Sequence, residues 1–380
     1  MCGTFTPFSP LADLDGKGKR RGFTLVEMLV ATAILVIIVG ILFGMTQEMS
    51  KVWTSSAGKI EAFRTSRGAF DALTRTLSQA TLNTYYDYFD SSGVSASSPG
   101  FNGRPFSYGR QSDLQFVSGQ GNLLLTGLTG YNVVSHAVFF TAPLGMTTTS
   151  NYVSLNTLLN ACGFYVVYGP DSVRPNFLPA TPRYRYRLMQ FVQASDALSI
   201  YVAGNKGTPQ WYLPPVQADF GGTPATSNFV LAENVIALIL LPKLAAQDEI
   251  WAETNYSISS PLGTALAPNY SYDSSKVGQG GAVNPSTGQS QAPMLNSLNQ
   301  LPPVIQVTMV TLDESSAVKL GNTTAAPNAR LGLTTSLFTQ AQNYKADLKS
   351  LTDTLSAGHL NYRVFQTDVA LRAAKWSSSN

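Results

Sequence analysis

The sequence predicts an α+β protein in which one long hydrophobic N-terminal helix packs on an antiparallel, β-rich globular domain. Three observations carry that expectation. Residues 23–43 form an apolar run with Glu27 as its one charge, and some twenty such residues can cross a bilayer core of about 30 Å as a helix. No proline interrupts the chain between Pro10 and Pro99, so helix can continue well past the apolar run. From Tyr85 onward the texture changes to short apolar or alternating runs between turn signals, the pattern of strands.

Only 12% of the 380 residues are charged and 44% are hydrophobic. Such a lean surface, rich in Ser, Thr, Asn, Gly and Tyr, suits an exported protein better than a cytosolic enzyme. Of the 25 Lys and Arg and 22 Asp and Glu, four basic and two acidic residues lie in the first 22, which leaves the remainder at net +1. That balance gives no electrostatic footprint for nucleic acid, so no nucleic-acid partner is expected.

The N-terminus concentrates the information. Lys17, Lys19, Arg20 and Arg21 stop abruptly before Gly22 and Phe23, and the apolar run follows. An ordinary secretory signal has a shorter apolar stretch ending in small residues at a cleavage site, and none follows Phe43. A plain signal anchor accounts for the basic flank and the length but not for Glu27, because a carboxylate at the bilayer centre costs about 2.5–3.5 kcal/mol. The stretch Gly22, Phe23, Thr24, Leu25, Val26, Glu27 followed by an apolar helix resembles the class III signal of type IV pilins and type II secretion pseudopilins. The resemblance implies cleavage after Gly22 by prepilin peptidase, methylation of the Phe23 amine, insertion in the inner membrane and assembly with other pilin-like subunits. It further implies that Glu27 neutralises a neighbour's N-terminal amine. Two unit charges about 4 Å apart at an effective dielectric of about 20 attract by about 4 kcal/mol, comparable to the insertion cost. The four basic residues hold the leader in the cytoplasm by the positive-inside bias, which places the C-terminal domain in the periplasm or outside the cell.

The expected organisation is a leader at 1–22, a transmembrane and filament-core helix at 23–44, an amphipathic continuation at 45–84, and a β-rich extracytoplasmic domain at 85–380. In the continuation Met49, Trp53, Ala57, Ile60, Phe63, Phe70, Leu73, Leu77 and Ala80 recur at helical spacing, with Arg67 as the charged member of the stripe. One helix over 23–83 would be about 90 Å long. Strands are expected at 114–117, 137–141, 164–168, 184–192, 235–241, 304–312 and 361–369, and helix within 331–355. Residues 255–303, crowded with Ser, Gly, Pro, Asn and Gln, read as a low-complexity insertion loop, mobile or folded over the surface. Residues 67–80, 234–241 and 301–309 resemble a helix and two later strands of J-type minor pseudopilins, and the length resembles the large prepilin-like proteins of Verru/Chthon cassettes.

No catalytic set emerges. His136 and His359 have no ligand-like or triad-like spacing and read as ordinary structural or surface residues. No glycine pattern of a nucleotide loop is present. Asp248 with Glu249, and Asp313 with Glu314, are the acidic pairs on which a calcium ion could draw; without regular oxygen-ligand spacing they read as solvated turns, and no cofactor is expected. Removal of the leader with Cys2 would leave Cys162 alone, read as a buried core residue over a reactive thiol. Arg183, Arg185 and Arg187 alternate with Tyr184, Tyr186 and Leu188, so a strand would place three guanidiniums on one face. That face reads as a solvated surface opposite the core or as a contact for an anionic partner. The function expected is a non-enzymatic minor subunit of a type II secretion pseudopilus or type IV pilus. The alternative is a membrane-tethered extracytoplasmic binding module, for a glycan or surface ligand, exported by the prepilin route.

Overall fold

The computed structural model describes residues 22–171, 182–202, 210–221, 226–256, 263–276, 295–321, 323–334 and 336–377. Within them the expected α+β architecture is present, a long N-terminal helix and antiparallel sheets. Helix α1 spans Leu25–Leu77, and the chain divides inside it into two compact units, Met1–Ala57 and Gly58–Asn380.

α1 stops short of the expected residue 83 because its last turn tightens. Gln79 and Ala80 donate to the Thr76 and Leu77 carbonyls three residues back, and Asn83 adopts a left-handed backbone, φ 47°. Thr81 then bridges to Thr141 through its N–H (2.9 Å), and the Thr141 hydroxyl donates back to the Thr81 carbonyl (2.8 Å). In the second unit the buried face of α1 carries Ser66, Ala69, Phe70, Leu73 and Leu77. Arg67 lies off that face, exposed, within 3.9 Å of the Asp71 carboxylate. The upper members of the expected stripe, Met49, Trp53 and Ile60, are exposed as well.

The strands are β1 (Tyr85–Phe89), β2 (Ser107–Gln111), β3 (Val117–Gln120), β4 (Asn132–Pro143), β5 (Leu159–Pro170), β6 (Tyr184–Gln193), β7 (Asn228–Glu233), β8 (Val235–Lys243), β9 (Tyr272–Asp273), β10 (Val304–Leu312) and β11 (Tyr362–Ala370). Shorter helices are α2 (Gly121–Leu124), α3 (Leu213–Phe220), α4 (Ala246–Tyr256), α5 (Glu314–Leu320) and α6 (Tyr344–Ala357). All pairings are antiparallel, in a six-stranded sheet β7-β6-β5-β4-β3-β9, a three-stranded sheet β11-β10-β8 and a separate hairpin β1-β2.

α1 meets the three-stranded sheet through Phe70 against Phe365 of β11 (5.7 Å), Ser66 hydroxyl to Thr311 hydroxyl of β10 (3.0 Å) and the Arg363 guanidinium over the Phe63 ring (5.4 Å). β4, β5 and β8 read as near-continuous apolar runs because they are buried on both sides. On one such face the Phe139 ring lies over its cross-strand partner Gly163, where a Cβ would come within 2.4 Å of the ring, so only glycine fits.

One residue, Asn234 at φ 60°, carries the chain from β7 in the large sheet to β8 in the small one. β8 is then an edge strand that is completely buried up to its last residue, and its outward N–H groups need partners. A bulge in β4 supplies them. Ser135 takes φ 56°, its hydroxyl accepts from the Leu238 N–H (3.0 Å), and His136 Nδ1 accepts from the Leu240 N–H (3.0 Å). The next position of the same parity is Pro242, which has no N–H to satisfy.

Helix within 331–355 is present as α6, preceded by a 3-10 turn at Ala341–Asn343, with Gly332 (φ 61°) and Phe338 (φ 57°) left-handed before it. Two further expectations change. Residues 114–116 lie outside any strand, and β3 begins at Val117. The insertion at 255–303 is no mere surface loop in its described parts: Leu266, Tyr270, Tyr272, Leu295 and Leu301 enter the core, and β9 forms the sheet edge. Buried Glu249 in α4 accepts from the Gly263 N–H (3.0 Å) and the Ala265 N–H (2.8 Å), fixing where the segment re-enters.

Candidate functional site: the N-terminal helix start

Thr24 and Glu27 form a reciprocal capping box at the start of α1. Glu27 Oε2 accepts from the Thr24 N–H and from the Thr24 hydroxyl, both 2.9 Å, while Thr24 Oγ1 accepts from the Glu27 N–H at 3.3 Å. The S/T-x-x-E spacing explains why helix begins immediately after Thr24, where the free N–H groups would otherwise lack partners. Glu27 Oε1 takes no hydrogen bond from the described residues. Gly22 and Phe23 precede the helix and are exposed; Lys17, Lys19, Arg20 and Arg21 lie outside the described residues.

The following turns present Leu25, Val26, Met28, Leu29, Val30, Ile34, Leu35, Ile37 and Ile41 with half or more of each side chain exposed. Thr32 within the run donates to the Leu29 carbonyl (3.0 Å) and Thr46 just after it to the Phe43 carbonyl (2.8 Å), and Glu27 is the only charge in the run. Among the described residues α1 is the one helix long and apolar enough to cross a membrane.

The arginine trio separates. Arg183 precedes β6 and is exposed, whereas Arg185 and Arg187 meet Asp171, Glu233 and Glu314. Arg185 Nη1 lies 2.7 Å from Glu314 and 3.3 Å from Glu233, and Arg187 pairs with Asp171 and donates to the Pro170 carbonyl (3.0 Å). Arg187 is buried. Burial alone would raise the Glu314 carboxyl, but hydrogen bonds from Arg185 and Asn234 hold it below its ordinary range. These two guanidiniums are therefore charge-compensated in a cluster that joins β6 to α5, while Arg183 stays exposed.

The acidic pairs have structural partners too. Asp313 caps α5, accepting from the Ser316 N–H (2.8 Å) and from Asn361 Nδ2 (3.0 Å), so it and Glu249 are buried instead of lying in solvated turns. Among the described residues no three His, Cys, Asp or Glu side chains converge in a metal-holding group. Cys162 lies inside β5, where burial pushes its thiol up to about 12. His136 is buried, and burial lowers it to about 4.

Residues 17–43 match the family model of the prokaryotic N-terminal methylation motif, the class III prepilin signal. No curated protein and no solved structure gives a significant match. The match covers the N-terminal segment alone and is consistent with an exported, type IV pilin-like protein. It implies processing by prepilin peptidase and assembly with pilin-like subunits, and with one apolar helix it supports a single-pass membrane anchor.

Proposed function

We propose that the chain is a non-enzymatic minor subunit of a type II secretion pseudopilus or a type IV pilus. Its leader faces the cytoplasm, its helix sits in the inner membrane, and its second unit works in the periplasm or beyond. Cleavage after Gly22 frees the Phe23 amine for methylation. The observation that carries the reading is Glu27: one carboxylate in an otherwise apolar run, with one oxygen committed to Thr24 and the other without a partner among the described residues. That second oxygen is where a neighbour's Phe23 amine pairs as helices bundle. The size of the second unit restricts how closely copies pack, which suits a minor or tip component, and the likeness of 67–80, 234–241 and 301–309 to J-type pseudopilins supports the same place.

The test is incorporation of Glu27→Leu and Glu27→Gln proteins into sheared filaments. Mass spectrometry should find membrane-extracted wild type beginning at methylated Phe23, and both variants should be cleaved and inserted as wild type is. Incorporation should collapse in both, because an unpaired amine among apolar helices costs several kcal/mol. Equal incorporation would remove the assembly role, and an intact leader in a host with active prepilin peptidase would remove the processing step.

A further inference from the structure

A cleft of about 470 Å³ opens in the second unit between the β1-β2 hairpin, the turn before β3 and the segment that follows β9. This is within the size range of small-ligand sites, about 300–1,000 Å³. Its lining mixes hydroxyl and amide side chains with Leu114, Ile200 and Trp211, and Asp113 is the charged residue among the described lining residues. Three amides there are each tied down at one end. Gln115 Nε2 donates to Asp273 (2.8 Å) and Ser275 (3.2 Å), and Asn299 Nδ2 donates to the Arg110 carbonyl (2.8 Å) and to Gln111 Oε1 (3.3 Å).

The other ends, Gln115 Oε1, Asn299 Oδ1 and Gln111 Nε2, have no partner among the described residues. Gln115 and Asn299 are 6% and 7% exposed, so these are polar groups held nearly buried in one orientation, not surface amides free to rotate. Asn299 is also held at φ 53°, a strained conformation that the surrounding structure must impose. Trp211 in the same wall is buried with its indole N–H unpartnered. At the rim Tyr85 is 39% exposed and shares one face of the hairpin with its cross-strand partner Gln111.

We infer that this cleft binds a neutral glycan. Fixed amide donors and acceptors match the vicinal hydroxyls of a sugar ring, the half-exposed tyrosine offers a flat apolar surface for its C–H face, and no basic side chain among the described lining residues is placed to pair with an acidic sugar. The inference is independent of filament assembly, since it concerns only the second unit and can be measured on unassembled protein.

The experiment uses the full chain extracted in lauryldimethylamine oxide, a detergent with no sugar headgroup. It is titrated with the hexasaccharides of cellulose, chitin, xylan, mannan and amylose, and with hexagalacturonate, followed by calorimetry and tryptophan fluorescence. At least one neutral hexasaccharide should bind saturably with Kd below about 1 mM. Gln111→Ala and Tyr85→Ala should each weaken it by about tenfold, the loss expected for about 1.4 kcal/mol. Tyr86→Ala, on the opposite face of the same strand, should leave it unchanged. If Gln111→Ala destabilises the hairpin, Ser98→Trp, which places a bulky ring in the cleft lining, should abolish binding with an unaltered melting temperature. No saturable binding by any neutral probe, tighter binding of hexagalacturonate, or binding that survives the Tyr85, Gln111 and Ser98 substitutions would overturn the inference.

Discussion

Replacing His136 tests the seam between the two sheets. Its Nδ1 accepts from the Leu240 N–H, so the ring proton sits on Nε2 and is donated to the Phe338 carbonyl, both at 3.0 Å. His136→Leu would leave one backbone donor and one acceptor unpaired in the core, at about 1–3 kcal/mol each, or about 2–6 kcal/mol in all. The same geometry forbids a charged ring, because a proton on Nδ1 would face the Leu240 N–H. Burial accordingly lowers the folded-state value from 6.5 to about 4. With the folded value below the unfolded one, the stabilisation is complete above about pH 6.5 and is lost as pH falls toward 4; at about 1.36 kcal/mol per unit it amounts to about 3 kcal/mol. Urea unfolding of the full chain in detergent should therefore show wild type losing stability between pH 7.5 and 4.5 by about 2–3 kcal/mol more than His136→Leu. His136→Asn, which can still accept and donate but does not titrate, should keep part of the stability and lose the same pH dependence. Parallel pH profiles for wild type and both variants would refute the argument that a neutral imidazole closes the β8 edge.

Arg187→Ala should cost about 3 kcal/mol, the low end of the range for breaking a buried ion pair, since Asp171 loses its closest guanidinium and keeps only Arg185 at 4.0 Å, whereas Arg183→Ala should change the melting temperature little. Thermal denaturation of the two variants side by side checks both; an equal effect would show that the charge cluster does not distinguish them. Cys162 should resist iodoacetamide at pH 8 in the folded protein and react once it is unfolded in urea, because burial keeps the thiol protonated. Alkylation without denaturant, read by intact mass, would contradict the placement inside β5.

What the sequence revealed divides along physical lines. The apolar run, the single charge of Glu27 within it and the strand at Val304–Leu312 are local patterns, and the last was legible to the residue. Arg185 and Arg187 were placed correctly on alternate positions of a strand, yet nothing local announced Asp171, Glu233 and Glu314, which arrive from three other segments. Leu266, Tyr270 and Tyr272 were hidden by the Ser, Gly and Pro around them, so a segment that supplies core and a sheet edge looked like a surface loop. Arg67 was misplaced by one position because the buried face holds Ser66, a polar residue made compatible with burial by Thr311. The cleft could not have been found at all, since Gln111, Gln115 and Asn299 meet only through the fold.

The exit from α1 has a mechanical consequence. Ser78 accepts from the Arg372 N–H just after β11, and Thr81 is bonded in both directions to Thr141 in β4. One attachment belongs to the small sheet and the other to the large one. Tension drawn along α1 therefore reaches the small sheet through Ser66, Phe70 and Ser78 and the large sheet through Thr81, so both sheets share the load before the chain enters β1.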